Sequence, residues 1–481
     1  METGEHKLKS KSGSIRFNPF IKHKTLLFLP LLLLGISCQT INQLWQETPF
    51  VLPPPTQTFT VTASPTTTPR NTQTPSPTPV PTETLFPTAT VTATPTLLVT
   101  PSVQQLEIFD ELWQIVQDEY LYPEFNGLDW DAIKEEYRPK IEAGMTDDNF
   151  YLAMDEMLSR LGDDHSIFLN PQAVREEDAL YAGKSDYVGI GVLVNAIPER
   201  NRAVIVNVFP GSPASEAGLQ PRDNILTVDG EQILDQDGFL RDLVRGTEGT
   251  PVTLTVQTPG GDPRQVQMTR RRINSAVPVP HEVISMPSGK RIGYLLLVTF
   301  NDGTITDQVG EALRQMSREA PLDGLIIDNR QNSGGADTIL RGVLGYFTSG
   351  SLGNFINRGE ERTLIVDLQN VNGSQQLPLV VLIGPGTASY GEVFSGILKD
   401  IGRAYLIGET TDGNVETLWG YNFDDGSRAW LARESFRSLN HPDENWEETG
   451  IIPDQTIIAG WDEYMLNNDP VVNAALEYLD R

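Results

Sequence analysis

Only one cysteine occurs in the 481-residue chain, Cys38, so no intrachain disulfide can form. Lysine also runs out: beyond Lys184 only Lys290 and Lys399 remain. Positive charge is short overall, with 36 Lys and Arg against 64 Asp and Glu and a formal net charge of −28. That balance argues against nucleic acid as the main partner, because phosphate binding needs clustered cations. No apolar run after residue 40 is long enough to span a bilayer. Neither a metal-ligand cluster nor a phosphate-binding loop is visible in the sequence, so no metal or cofactor is expected.

What is plentiful is unevenly placed. Lys7, Lys9, Lys11, Arg16, Lys22 and Lys24 form a basic start, and Thr25 to Ile36 is a short apolar run. That is the layout of an export segment. Gly35-Ile36-Ser37-Cys38 then resembles a bacterial lipoprotein signal, which implies lipidation of Cys38. The other reading is an uncleaved anchor with an incidental cysteine. Both put the body outside the cytoplasm, tethered to the outer face of a bacterial cytoplasmic membrane. Residues 39–102 are rich in Thr and Pro, as in Pro65-Thr66-Thr67-Thr68-Pro69 and Pro75-Ser76-Pro77-Thr78-Pro79. Such a composition cannot build a core and reads as an extended stalk.

Residues 103–180 carry helical spacing: Leu106, Phe109, Leu112, Trp113 and Val116 recur at i, i+3 and i+4, and Phe150, Leu152, Met154, Met157 and Leu158 follow suit. From Tyr187 to Ile273 short strands alternate with turns: Val188–Val194, Ala203–Val208, Asp223–Gly230 and Val252–Val256, with a helix expected over Gly238–Gly246. From Arg291 onward strands and helices alternate, which implies an α/β fold with a mostly parallel, covered sheet. Active sites in such folds lie at the C-terminal ends of strands. Two loops sit there, Asn329–Gly335 and the one holding Ser389.

Ser389 follows the apolar strand Leu379–Ile383 through Gly386-Thr387-Ala388 and opens a helix-like stretch, Val393 to Ile401. A serine there would present its hydroxyl where helix N–H groups favour an oxyanion. The plainer alternative is a capping box, Ser389 with Glu392.

Several segments together resemble the C-terminal-processing (tail-specific) serine peptidases. They are Asp163-Asp164-His165-Ser166, the strand-rich module, Asp328-x-Arg330-x-Asn332-x-Gly334-Gly335, Thr387-Ala388-Ser389 and Gly450-Ile451-Ile452-Pro453-Asp454. The resemblance implies an α/β multidomain chain: a helical region (103–180), a PDZ domain (181–275) and a peptidase core (276–481). It implies a peptide-binding loop at Val188, Gly189, Ile190 and Gly191, a nucleophile at Ser389, and an oxyanion hole from the amides of Gly334 and Tyr390. Much of the family uses a lysine 25 residues after the serine, but here that residue is Asn414. An asparagine cannot act as base. The tricorn-like branch uses a histidine instead, which implies His165 as base and Glu447 as the acid that orients it, with Glu448 its neighbour. His441 is the reserve base. The roles of Ser166 and Asn414 stay open.

The expected function is an exported, membrane-tethered serine endopeptidase that cleaves unfolded or C-terminally recognised proteins through an acyl-enzyme. Its partners would be protein or peptide chain ends. A non-catalytic PDZ-type peptide binder is the main alternative, and a carrier of apolar small molecules a third.

Overall fold

The structure, a computed structural model, describes residues 100–163 and 165–481. The residues expected to form an export segment, Cys38 and nearly all of those expected to form a stalk lie outside the described residues.

The C-terminal core is organised by a six-stranded sheet whose spatial order follows the chain: β1 (His281–Ser285), β2 (Arg291–Leu296), β3 (Gly324–Asp328), β4 (Leu379–Ile383), β5 (Tyr405–Gly408) and β6 (Gln455–Thr456). β1 runs antiparallel to β2, and every later pairing is parallel. All residues of β3 and β4 are buried, which is why both read as unbroken apolar runs. Helices cover the faces. α1 (Tyr390–Asp400) leaves the end of β4 and buries Val393, Phe394, Ile397 and Leu398. Gly396 lies where a Cβ would come within 2.6 Å of the Trp446 ring, so the glycine lets Trp446 seat on α1.

A second, antiparallel sheet joins the N-terminal region to this core. Strand Ile167–Leu169 pairs with Arg428–Trp430 of the long strand Arg428–Ser438. The segment just before it, which carries His165, is thereby held against the core. The N-terminal region has three main helices, Val103–Glu119, Trp130–Glu142 and Asp147–Ser159, so Asp129 and Thr146 each cap a helix start inside the stretch read as two apolar faces. Trp113 and Trp130 exchange indole N–H bonds with each other's carbonyls at 2.9 and 3.1 Å.

The PDZ-like module has its own apolar core around Ile190, Ile205, Ile225, Leu254 and Val256. Its first strand is interrupted, Ser185–Gly189 and Val192–Ile197, at a turn where Gly191 adopts φ +80° and packs on Ser212. The helix expected over Gly238–Gly246 does not form. Asp235 Oδ1 accepts from the amides of Asp237 and Phe239, and Arg241 N–H donates to Ile233 O. Those bonds draw the segment back along Ile233–Asp235 instead of letting it coil. The module is keyed to the core by buried charge. Arg222 bonds Asp469 at 2.6 Å, and Arg330 bonds Asp469 at 2.7 Å and Asp328 at 2.6 Å.

Candidate active site

Ser389 is placed by the loop that leaves β4. Thr387 Oγ1 donates to Asn329 O, Ala388 N–H donates to Asn332 O, and Gly391 leaves room for that carbonyl, since a Cβ there would lie 2.3 Å from it. The serine itself has φ +52° and ψ −129°, a conformation that costs free energy for a residue with a Cβ. Its side chain makes no capping bond to α1. Glu392 does not reach back to it either: its carboxylate accepts from Thr411 Oγ1 and from the amides of Gly413 and Asn414, the latter two at 2.8 Å. The capping-box alternative is therefore not what the residues form. Burial pushes the Glu392 carboxyl up to about 7, against the pull of those hydrogen bonds.

Residues 411–416 form a strap across the site. Ser389 N–H donates to Asn414 O at 2.6 Å. One and two residues on, the amides of Val415 and Glu416 donate to Glu447 Oε2 at 2.6 and 3.1 Å. Glu447 Oε1 lies 3.1 Å from His165 Nε2. Glu447 leaves one turn of helix, Trp446–Thr449, that Trp446 anchors on α1, while Glu448 is exposed. His165 is positioned by Asp163, whose Oδ1 accepts from the amides of His165 and Ser166. Ser166 Oγ donates to Asp163 Oδ2 and accepts from Ala432 N–H, a bracing role.

A third acid, absent from the sequence reading, completes the cluster. Glu416 Oε2 stands 3.7 Å from His165 Nε2, and Tyr122 donates its hydroxyl to Glu416 Oε1. Burial pulls the imidazole's pKa down, but the Glu447 bond and the charges of Glu416 and Glu447 outweigh it and leave it up at about 9. Burial likewise pushes Glu416 up to about 7, His165 opposing and Glu447 reinforcing the rise. Two carboxylates around one ring nitrogen hold protons tightly. Nothing in the local sequence pointed to Glu416 beyond its place two residues after Asn414, and Tyr122 is 294 residues away from it.

The remaining candidates are placed as follows. Gly334 faces Ser389: a Cβ on it would lie 2.6 Å from Ser389 Cβ and 2.9 Å from Tyr390 N. Its own N–H, however, donates to Asn332 Oδ1 at 2.9 Å. An oxyanion hole using that amide requires the bond to be released. No hydrogen bond joins Ser389 Oγ to His165 among the described residues. His441 bonds Asp400 at the far end of α1, about 16 Å along the axis from Ser389 at ~1.5 Å per residue, and is exposed. Lys399 donates to Ile452 O and Lys290 to Leu479 O, so neither lysine attends the serine. Asn414 meets Ser389 through its backbone carbonyl. In the PDZ-like module, Gly189 ends a strand, Val188 O accepts from Gly246 N–H, and Ile190 is fully buried. His165, Glu416 and Glu447 are also the described residues whose donor atoms cluster closely enough to hold a metal ion.

The sequence pattern of Peptidase family S41 matches residues 291–457, the Tricorn protease C1 domain residues 101–159 and the PDZ domain residues 204–258. The carboxyl-terminal-processing protease of Synechocystis sp. is 30% identical over 366 residues, covering 74% of this chain and 81% of the relative. The chain belongs to peptidase family S41. It is a serine-type peptidase of the carboxyl-terminal-processing kind. Carboxyl-terminal-processing peptidase 2 of Arabidopsis thaliana chloroplasts is 27% identical over 372 residues, covering 73% of this peptidase and 68% of the relative. Among solved structures, the photosystem II D1 C-terminal processing protease superposes with a TM-score of 0.52 at 27% identity, covering 74% of this chain and 93% of that one. An S41 protease structure from Bacteroides fragilis shares the fold at the same TM-score, with 18% identity and coverage of 77% and 97%.

Proposed function

We propose that this peptidase cleaves unfolded or C-terminally presented protein chains through an acyl-enzyme on Ser389, with His165 as general base and Glu447 as its orienting acid. The observation that carries the reading is the His165–Glu447 bond, Glu447 being held by the strap that also holds Ser389, in a chain whose two lysines beyond Lys184 are tied up elsewhere. In the forward step His165 takes the Ser389 proton as Oγ attacks the scissile carbonyl, then returns it to the leaving amine. Water reverses the sequence to release the acid product. Tyr390 N–H, at the start of α1, and Gly334 N–H, once freed from Asn332, would meet the oxyanion. The engaged Gly334 amide and the unbonded Ser389 hydroxyl fit a resting form that closes on substrate. The PDZ module would present chain ends to the site. The N-terminal segment would tether the enzyme outside the cytoplasm through Cys38 or an uncleaved anchor.

The test is fluorophosphonate labelling of the whole chain beside Ser389→Ala and His165→Ala. Labelling of the parent alone supports the assignment. Labelling that survives His165→Ala removes the histidine base. A parent that stays unlabelled even with added C-terminal peptide turns the reading to a non-catalytic peptide binder.

A further inference from the structure

Glu416 has no part in the mechanism above, yet it is the most enclosed acid of the His165 cluster. Only 4% of it is exposed. Its Oε1 accepts from Tyr122, but Oε2 is buried without a hydrogen-bond partner and points at His165 Nε2. A buried, unpaired carboxylate oxygen is costly, and a second carboxylate beside it raises the cost. A cation seated between them would remove both penalties.

We propose that His165 Nε2, Glu416 Oε2 and Glu447 Oε1 form a binding site for a divalent ion of the zinc type, which switches the peptidase off. The three donor atoms all lie within 4.8 Å of one another. The ring nitrogen is 3.1 Å from one oxygen and 3.7 Å from the other. Bonds of about 2.0–2.2 Å in a tetrahedron put donors ~3.4 Å apart, and the two nitrogen–oxygen spacings fall on either side of that value. Each carboxylate is already oriented by its other oxygen, Glu447 by the amides of Val415 and Glu416, and Glu416 by Tyr122. Such outer partners are what fix a metal site. Two carboxylates match the ion's charge. One nitrogen and two oxygens favour zinc over calcium or magnesium, which take oxygen alone and more of it. Glu447 is the partly exposed member and gives the ion a way in. An ion on Nε2 uses that lone pair and leaves the ring proton on Nδ1. The ring then has no lone pair left for the Ser389 proton. This inhibitory consequence rests on reading His165 as the base; the binding does not.

The experiment is calorimetric titration of zinc chloride into the full chain carrying Ser389→Ala, with and without Glu416→Gln. Any binding at His6, His23 or Cys38 is common to both proteins and cancels in the difference. A site present in the first and weakened at least about tenfold in the second supports the proposal. Equal affinity overturns it, as does a site that calcium or magnesium ions fill equally well. Should Glu416→Gln not fold, His165→Asn in the same background decides in the same way. Peptide cleavage by the Ser389-intact chain should stop at the same zinc concentration and return with chelator. A chain that binds zinc through Glu416 yet cleaves peptides undiminished overturns the inhibitory role. One that binds zinc and cleaves nothing at any zinc level overturns the peptidase reading and leaves the site standing.

Discussion

Glu447 holds His165 Nε2 with one carboxylate oxygen and the amides of Val415 and Glu416 with the other. One side chain thus ties the ring to the strap on which Ser389 also rests. Glu447→Gln would keep a carbonyl for those N–H groups but turn an N–H toward the ring, so Nε2 would have to accept and the ring would be held in the wrong tautomer. Cleavage of an unstructured peptide should fall by about 10²–10⁴-fold, the usual worth of a positioned acid–base partner. Steady-state kinetics, with circular dichroism to confirm folding, check this.

The pH dependence of cleavage should be alkaline. With the His165 ring at about 9, only about one part in a hundred is free base at pH 7. The rate kcat/KM, measured with chelator present, should therefore climb about tenfold per pH unit and level off near pH 9. Glu416→Gln removes a charge that raises the ring's pKa, so the rising limb should move to lower pH. A limb that stays in place would show that Glu416 does not act on the ring.

Gly334→Ala should abolish activity more than stability. The glycine has φ +90°, and its Cβ would press on Ser389 Cβ at 2.6 Å. The backbone N–H survives the substitution, but the Cβ would displace it together with Ser389, and misplacing one oxyanion donor should approach the cost of losing it, about 10²–10³-fold in kcat. Labelling rate with a fluorophosphonate reads both.

Glu392 gives a stability prediction of definite sign. Its carboxyl is raised by burial to about 7 from an ordinary value of 4.5. The folded state therefore binds the proton more tightly than the unfolded state. This contribution is fully present below pH 4.5 and is lost as pH rises through 7. Glu392→Gln should lower the melting temperature overall, because a strap amide loses its acceptor, yet flatten its decline between pH 4.5 and 7.

Gly396→Leu should loosen Glu447 without touching it. The new side chain would occupy the seat of Trp446, whose ring a mere Cβ would meet at 2.6 Å. Melting temperature and kcat should fall together, in contrast to the Gly334 variant. Overpacking of this kind costs about 1–3 kcal/mol.

By itself the chain determined its architecture and the placing of Ser389 after a strand and before a helix. The apolar runs of β3 and β4 needed a sheet covered on both faces, and the turn after β4 put Ser389 at a helix start. The shortage of lysine was legible too: Asn414 stands 25 residues after Ser389, which leaves histidine as the available base. Local rules failed where bonds outside the window took over. Asp235 unmade the Gly238–Gly246 helix, and the Ser389–Glu392 pair looked like a cap until the strap supplied Glu392 with other donors. Only the tertiary structure brought Glu416 and Tyr122 to His165 and sent His441 away from the serine. Periodicity reports which face of an element is buried, but it carries no information about which distant polar groups share that burial. Such groups meet because a buried charge must find a partner, and the partner can be hundreds of residues away.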